Sequence, residues 1–565
     1  SNGSGFINGG SSITHFCTRK IWPGAGDAEK KGELNQEIRV AMKACINCVI
    51  NYFRELKDIR PLAAIIALLT LFIASSTKNP LNNDGILYLQ TAEAFANSGW
   101  RAAMELYPWP FYSILIAMTA KLMQLSFVHA AYLLNAALLV IIVTSFITII
   151  KELGASRPVQ FIGAVVILSH PRLHHYQSYI IRGFGYWAFL LLALLYLIRY
   201  HRHLCWGHAL GWGTSISIAA LFRVEGTVLL IFTPLVLLFR PNIGLWRKIS
   251  STLKTYSINI ATLFIALIWC FSKQDMSITT FGRLSEIQNQ LQNGFMLLGA
   301  NLQIKAAIIS QNVLNDYSND FALTMTISGL AGIYLYKLIK TIWPLHTLLC
   351  AHAVCNKLIP ADDGTRKLLI YFTALNLLIP AIFLGQNFFI QYRFLMPASL
   401  LLLIWTPFSL NNIFQDWKNK KRVQTGNRII FLLLSVAFFI MFVCAFIPSR
   451  PSKAYITYAG IWLKNNTPQH ARIYSNTKKI SFYAKREFLF WDIHAGSLKP
   501  QGTSEDFIAL KVRNKDYNKA AKWLTSLNLK PIKVFENKQG DKVVISTLSS
   551  SDVEIIPGSS REESL

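Results

Sequence analysis

The sequence predicts a polytopic α-helical membrane protein that carries a small α/β domain towards its C-terminal end. Three observations predict it. Of 565 residues, 52% are hydrophobic, and the mean hydropathy is +0.35. Apolar runs close to the ~20 residues needed to cross a bilayer recur from Pro61 to Ile447. Past Ile447 the chain changes to short strand-like pieces and one helical stretch. A soluble multidomain enzyme, which would show polar seams between its domains, is excluded. So is a transmembrane β-barrel, whose strands read as short alternating segments.

In chain order, Ser1–Gly5 reads as a cloning scar, and residues 1–60 as a cytoplasmic N-terminal segment rich in Lys and Arg. No cleavable signal precedes Arg39, so the first apolar run is expected to be a retained helix. The transmembrane domain is expected over 61–447, with spans near 61–77, 108–125, 129–150, 184–200, 207–222, 226–239, 256–272, 321–337, 368–385, 393–409 and 429–447. The 12-residue run 158–169 and the run 343–355, with Pro344, His346 and His352, are left out; counting both gives about 13 helices instead of about 11. Basic loops at 199–203, 240–254, 337–370 and 410–428 then fall on the cytoplasmic side. Lys151 and Arg157 are the exception and land outside. Outer loops are expected at 78–107, 151–183, 223–225, 273–320 and 386–392. Residues 448–565 form an extracytoplasmic α/β domain, with strands at Arg472–Tyr474, Lys479–Tyr483, Phe507–Lys511 and Lys542–Ile545 and a helix at Asn518–Ser526.

Lys and Arg number 56 against 29 Asp and Glu, a formal net charge of +27. In a soluble chain that would suggest nucleic acid. Here much of the excess lies in short loops, where it sets orientation and suits anionic headgroups or a lipid-linked phosphate, so no nucleic-acid partner is expected. Cys45 and Cys48, and Cys350 and Cys355, lack the pairing of a zinc site, and no cysteine follows Ile447, which rules out a disulfide-built outer domain. No P-loop, His-Glu-x-x-His or Gly-x-Ser-x-Gly occurs, which removes support for ATP use and serine hydrolysis.

Ionisable residues at membrane depth are costly and mark function. They gather in four places on the outer side. Asp84 follows the first span and opens an amphipathic stretch with Tyr88 and Glu93. It could cap that stretch, accept a proton from a hydroxyl nucleophile, or help hold a divalent cation such as Mg or Mn. His170, Arg172, His174, His175 and Arg182 crowd the next loop; a zinc site would need more convergence than adjacent His174 and His175 offer, and anion binding by arginine fits better. Arg223 and Glu225 flank Val224 between two spans, where they could pair with each other or hold a substrate phosphate. Tyr392 and Arg393 open a late span; snorkelling could account for Arg393, and so could a second cationic contact to a lipid-borne phosphate.

These segments resemble the GT-C class of membrane glycosyltransferases, in particular bacterial ArnT-like relatives of the lipid A aminoarabinose transferase and of protein O-mannosyltransferases. Asn83-Asp84-Gly85 with Tyr88 sits where that family has its acidic first-loop motif. His170–Arg182 followed by Gly185-Tyr186-Trp187 resembles its second loop and helix, Phe222-Arg223-Val224-Glu225-Gly226 its R-x-E-G segment, and Tyr392-Arg393 with Pro397 a late helix start. Ile461–Pro468 and Ala471–Tyr474 resemble the start of its periplasmic domain. One departure stands out: the family's second acid, directly after the first, is here Gly85.

The resemblance implies a hexosyl- or pentosyltransferase of the bacterial inner membrane, with its site and C-terminal domain periplasmic. It implies inverting transfer of a sugar from a polyprenyl-phosphate carrier to a periplasmic glycan, lipid or protein acceptor. Asp84 and Glu225 are then the catalytic carboxylates. Arg172, Arg182, Arg223 and Arg393 hold the donor phosphate, and Tyr88, Glu93, His170, His174, His175 and Tyr392 bind substrate. The other readings are a transporter or flippase for a lipid-linked or anionic solute, and a scaffold. The transporter is disfavoured by mostly apolar mid-membrane segments and by the lack of paired broken helices.

Overall fold

A chain surrounded by lipid must satisfy its backbone polar groups internally, and the apolar runs accordingly become helices. The computed structural model describes residues 58–76, 79–240, 244–272, 284–418, 425–444, 446–447, 453–491, 506–527 and 529–548. The expected N-terminal segment with Cys45 and Cys48, and the expected loop parts at 273–283 and 419–424, lie outside the described residues.

The helices are α1 (Arg60–Ser75), α2 (Asn83–Leu106), α3 (Phe111–Met123), α4 (Phe127–Glu152), α5 (Arg157–Leu168), α6 (Pro171–Gln177), α7 (Gly183–His203) and α8 (Trp206–Phe222). They continue as α9 (Glu225–Phe232, running into a 3-10 turn over Thr233–Phe239), α10 (Leu245–Ser272), α11 (Leu284–Asn312), α12 (Ala322–Ile342), α13 (Pro344–Cys355), α14 (Asp363–Asn387), α15 (Tyr392–Leu403), α16 (Thr406–Lys418) and α17 (Thr425–Cys444). Among the described residues five stretches are long and apolar enough to cross a bilayer, including α4, α7 and α14. The chain is a multi-pass membrane protein.

Polar contacts define the two ends of the bundle. At the far end Glu152 accepts hydrogen bonds from Arg199 at 2.8 Å and Arg202 at 3.4 Å, Arg202 lies 3.9 Å from Asp362, and Tyr200 donates to the Ser251 carbonyl at 2.8 Å. At the opposite, site end, Asn82 exchanges two hydrogen bonds with the Ile180 backbone, at 3.0 and 2.9 Å. Tyr112 donates to Asn135 at 2.7 Å, and Asn135 donates to the Tyr179 carbonyl at 3.1 Å.

These contacts correct the expected topology. The expected span 108–125 contains α3, which begins beside Tyr88 and Phe222 and turns directly into α4. Because α4 ends at the far end, α3 and the start of α4 form a hairpin that stays at the site end. The omitted run 158–169 is α5. It starts five residues beyond Glu152 and ends at His170, whose Nε2 lies 3.4 Å from Ser399 Oγ, so it runs from the far end to the site end. The two differences cancel, and α7 keeps its expected direction, from the site end to Glu152 at the far end. Lys151 and Arg157 now join the other basic loops at the far end. The reason is packing. Helix α5 lies among α1, α4, α16 and α17 with Val159, Gly163, Ala164, Val166, Ile167 and Leu168 buried. A Cβ on Gly163 would fall 2.7 Å from Ile150 Cδ1, so glycine there lets α5 lie close against α4. A helix enclosed by protein need not match the hydrocarbon thickness.

The expected basic loop 337–370 is also divided. Lys337 donates to the Ile390 carbonyl, and the Lys340 backbone carbonyl accepts from Arg172 at 3.4 Å, both at the site end. Helix α13 then returns to the far end, where Pro360 packs against Gly154.

The C-terminal domain contains α18 (Ala454–Asn466), β1 (Ile473–Ser475), α19 (Lys478–Ala484), β2 (Leu489–Phe490), β3 (Phe507–Val512), α20 (Tyr517–Ser526), β4 (Pro531–Glu536) and β5 (Lys542–Thr547). The sheet order is β2-β1-β3-β5-β4, with β1 parallel to both neighbours and β5 antiparallel to β3 and β4. Helices α18 and α19 cover one face, through Ile456, Leu463 and Ile480 on Ile473 and Ile545; α20 covers the other, through Ala520 and Leu524 with Leu510 and Val544. The expected strand Lys479–Tyr483 is therefore helical: Ile480 and Ala484 bury at a spacing of four, the helix period. The domain docks on the link between α1 and α2, where Leu81 N–H donates to Tyr483 Oη at 3.0 Å and Lys453 N–H to Asn79 Oδ1 at 2.7 Å.

Candidate active site

Asp84 stands in the first turn of α2. It does not cap the helix: Asn82 occupies that position, with its side chain joined to Ile180. The Asp84 carboxylate instead accepts from Arg393 Nη1, across a sequence separation of 309 residues. Among the described residues, buried Arg393 Nε has no hydrogen-bond partner. Gly85 also has a structural account. A Cβ there would meet Asn82 Oδ1 at 2.8 Å and Ile180 Cβ at 3.0 Å, so the place of the family's second acid is closed to any side chain.

The other arginines arrive from separate elements. Arg172, on α6, stacks 3.9 Å from the ring centre of Tyr392, at the start of α15. Arg182, just before α7, lies 5.6 Å over Tyr107, whose ring is 5.6 Å from Tyr88. Burial pushes the Tyr88 hydroxyl well above its usual range, against the opposing pull of Arg182. Arg223 lies between α8 and α9, 4% exposed, with Nε 3.2 Å from Glu225 Oε2 and Nη2 on the other carboxylate oxygen. Its guanidinium also lies 4.7 Å from the Phe394 ring centre, and Arg393 lies 5.4 Å from the same ring. Gly226 makes the turn possible, since a Cβ would meet the Ala220 backbone at 2.6 Å.

The structure thus brings together Asp84, Tyr88, Arg172, Arg182, Arg223, Glu225, Tyr392 and Arg393. Four guanidiniums face two carboxylates, an excess of two positive charges, with the Lys337 side chain and the Lys340 backbone carbonyl beside them. These two lysines were missed in the sequence because 337–370 was read as one loop on the other side. Trp343, with φ of 81°, and Pro344 break the helix just after them and carry the signal that could have divided it. Lys337 Nζ lies 5.8 Å from the Tyr392 ring that Arg172 covers.

Other expected residues fall elsewhere. Glu93 lies nine residues past Asp84, about 13 Å along α2 and on its opposite face, where it is exposed. His170 is fully buried: its Nδ1 accepts from Leu173 N–H at 3.2 Å, and its ring stacks 5.9 Å from His346. His174 contacts Gln177 at 3.3 Å and the Leu168 carbonyl. Both rings hold the loop in shape through these bonds. Burial lowers the pKa of each; in His170 the nearby His346 and His174 add to the effect, and in His174 its hydrogen bonds oppose it. His175 packs on Tyr176 and Tyr179, with ring centres 5.2 and 5.1 Å away.

Among the described residues no three His, Cys, Asp or Glu side chains converge. Asp84 is paired with Arg393, and Glu225, the other carboxylate of the cluster, with Arg223.

No protein-family model and no curated protein sequence matches the chain. Solved structures do. One is the Archaeoglobus fulgidus oligosaccharyltransferase tethered to an acceptor peptide: TM-score 0.51, 11% identity, 88% of this chain and 74% of that one. The chain has the GT-C fold. The Archaeoglobus fulgidus oligosaccharyltransferase AglB, with an inhibitory peptide and dolichol-phosphate, is similar at TM-score 0.49 and 10% identity, over 88% of this chain and 75% of that one. ArnT from Cupriavidus metallidurans, in the apo state, is similar at 0.47 and 10%, over 86% and 97%.

Proposed function

We propose that the protein is an inverting glycosyltransferase that moves a sugar from a polyprenyl-phosphate carrier to a hydroxyl-bearing acceptor of the cell envelope. The observation that carries this reading is the meeting of Asp84 with four arginines from separate segments at one end of a GT-C bundle. The acceptor oxygen attacks the anomeric carbon while the bond from that carbon to the phosphate oxygen breaks. Asp84 takes the hydroxyl proton, and the bonding electrons leave with the lipid phosphate. The arginines stabilise the charge that develops on it. Arg393 links the two halves of the chemistry: a donor phosphate that draws its guanidinium leaves the Asp84 carboxylate free to act as base. Glu225 serves the site by neutralising and orienting buried Arg223.

The basic loops at the far end support a cytoplasmic far end and a periplasmic site end, in a bacterial inner membrane. The test is incubation of the purified protein in lipid nanodiscs with a panel of polyprenyl-phosphate sugars and envelope acceptors, with mass spectrometry of released polyprenyl phosphate. Failure to bind or consume every donor would sink the proposal.

A further inference from the structure

Three lysines from three elements lie near enough to influence one another at the corner of the C-terminal domain that touches the membrane bundle. Lys453 sits at the N-terminus of α18 and is tied through its backbone to Asn79, four residues past the end of α1. Lys479 lies half-buried in the first turn of α19. Lys511 lies near the end of β3, with its backbone N–H and carbonyl both bonded to the Asn476 side chain at 2.9 Å, which fixes it beside the start of α19. Burial, with the neighbouring Lys453 and Lys511, brings the pKa of Lys479 down to about 8. Lys511 is lowered too, by burial and by Lys453.

Among the described residues, little counter-charge acts on these lysines. Asp541 is the carboxylate that acts on Lys511, more weakly than Lys453 does, and its Oδ1 already accepts from the Asn514 N–H at 3.1 Å. The adjacent Arg513 is taken up by Asp516 at 2.9 Å. Like charges gathered together repel one another, and a bound anion relieves that repulsion.

We propose that Lys453, Lys479 and Lys511 bind the phosphate of an anionic phospholipid, anchoring the C-terminal domain to the membrane surface beside α1. A lipid headgroup is favoured over a soluble phosphate because Asn79 and Leu81, to which the domain is bonded, directly follow a helix of the bundle. The inference is independent of the transferase reading.

The test uses the full chain in nanodiscs of phosphatidylcholine, alone or mixed with phosphatidylglycerol. The rate of acylation of Lys479 is followed against pH by peptide mass spectrometry. In phosphatidylcholine the midpoint should lie near 8. Phosphatidylglycerol should raise it by about one pH unit, the effect of an opposite charge close by. Lys511→Gln keeps the backbone bonds to Asn476. It should raise the midpoint in phosphatidylcholine and shrink the response to phosphatidylglycerol. Equal midpoints in the two lipids would overturn the proposal. So would the same shift produced by glycerol phosphate in phosphatidylcholine alone, which would assign the site to a soluble phosphate.

Discussion

Glu225→Gln probes how the site holds its most buried charge. The Arg223 side chain is 5% exposed and that of Glu225 25%, and both carboxylate oxygens accept from the guanidinium. Removing one partner of a buried pair costs about 3–5 kcal/mol, because the remaining charge is left unmatched. A quarter-exposed carboxylate keeps some water, so the expected loss is about 3 kcal/mol, the low end of that range. That is about two decades in the folding equilibrium. The double variant Arg223→Gln/Glu225→Gln removes both charges and should recover most of the stability, while transfer stays low for want of the guanidinium. Denaturant unfolding of the wild type, both singles and the double gives the coupling, and initial rates of polyprenyl-phosphate release give the function. A coupling below about 0.5 kcal/mol, the scatter expected of independent sites, would refute the reasoning. So would an Arg223→Gln variant that turns over at the wild-type rate.

Three further outcomes are expected. Because His170 and His174 are held below the ordinary imidazole range, the unfolded loop binds more protons than the folded one in mild acid. The stability they contribute is complete above about pH 6.5 and is lost as pH falls towards their folded values, so hydrogen exchange across 169–182 should quicken on acidification; pH-independent protection would contradict this. Gly85→Asp should break the Asn82–Ile180 link through its 2.8 and 3.0 Å contacts, with a loss of about 1–3 kcal/mol and of most activity, measured by unfolding and turnover; a stable, active variant would overturn the account of Gly85. Chelation of divalent cations should leave transfer unchanged, since Asp84 and Glu225 are each matched by an arginine; loss of activity that is restored by Mg or Mn would show that the Asp84–Arg393 pair opens to admit a cation.

The arginines were legible in the sequence because a charge beside an apolar run is costly and therefore conspicuous. Which runs cross the bundle was less so. Hydropathy reports how apolar a segment is, and not whether lipid or protein surrounds it. Helix α3 exposes Met118 and Leu122 and stays at one end, whereas α5 is enclosed and crosses with 12 residues. The same blindness placed Lys337 and Lys340 on the wrong side. His170 and His174 looked like ligands because imidazole suits binding and hydrogen-bonded packing equally, and only their neighbours separate the two. Lys479–Tyr483 read as a strand because five residues are too few to separate a period of two from one of 3.6.

The most direct measurement compares wild type with Asp84→Asn in the same nanodiscs, each supplied with a polyprenyl-phosphate sugar that the wild type consumes. Donor binding and release of polyprenyl phosphate are followed together. The account predicts that Asp84→Asn still folds and binds the donor but releases no polyprenyl phosphate above background. Release at close to the wild-type rate would contradict the assignment of Asp84 as the base.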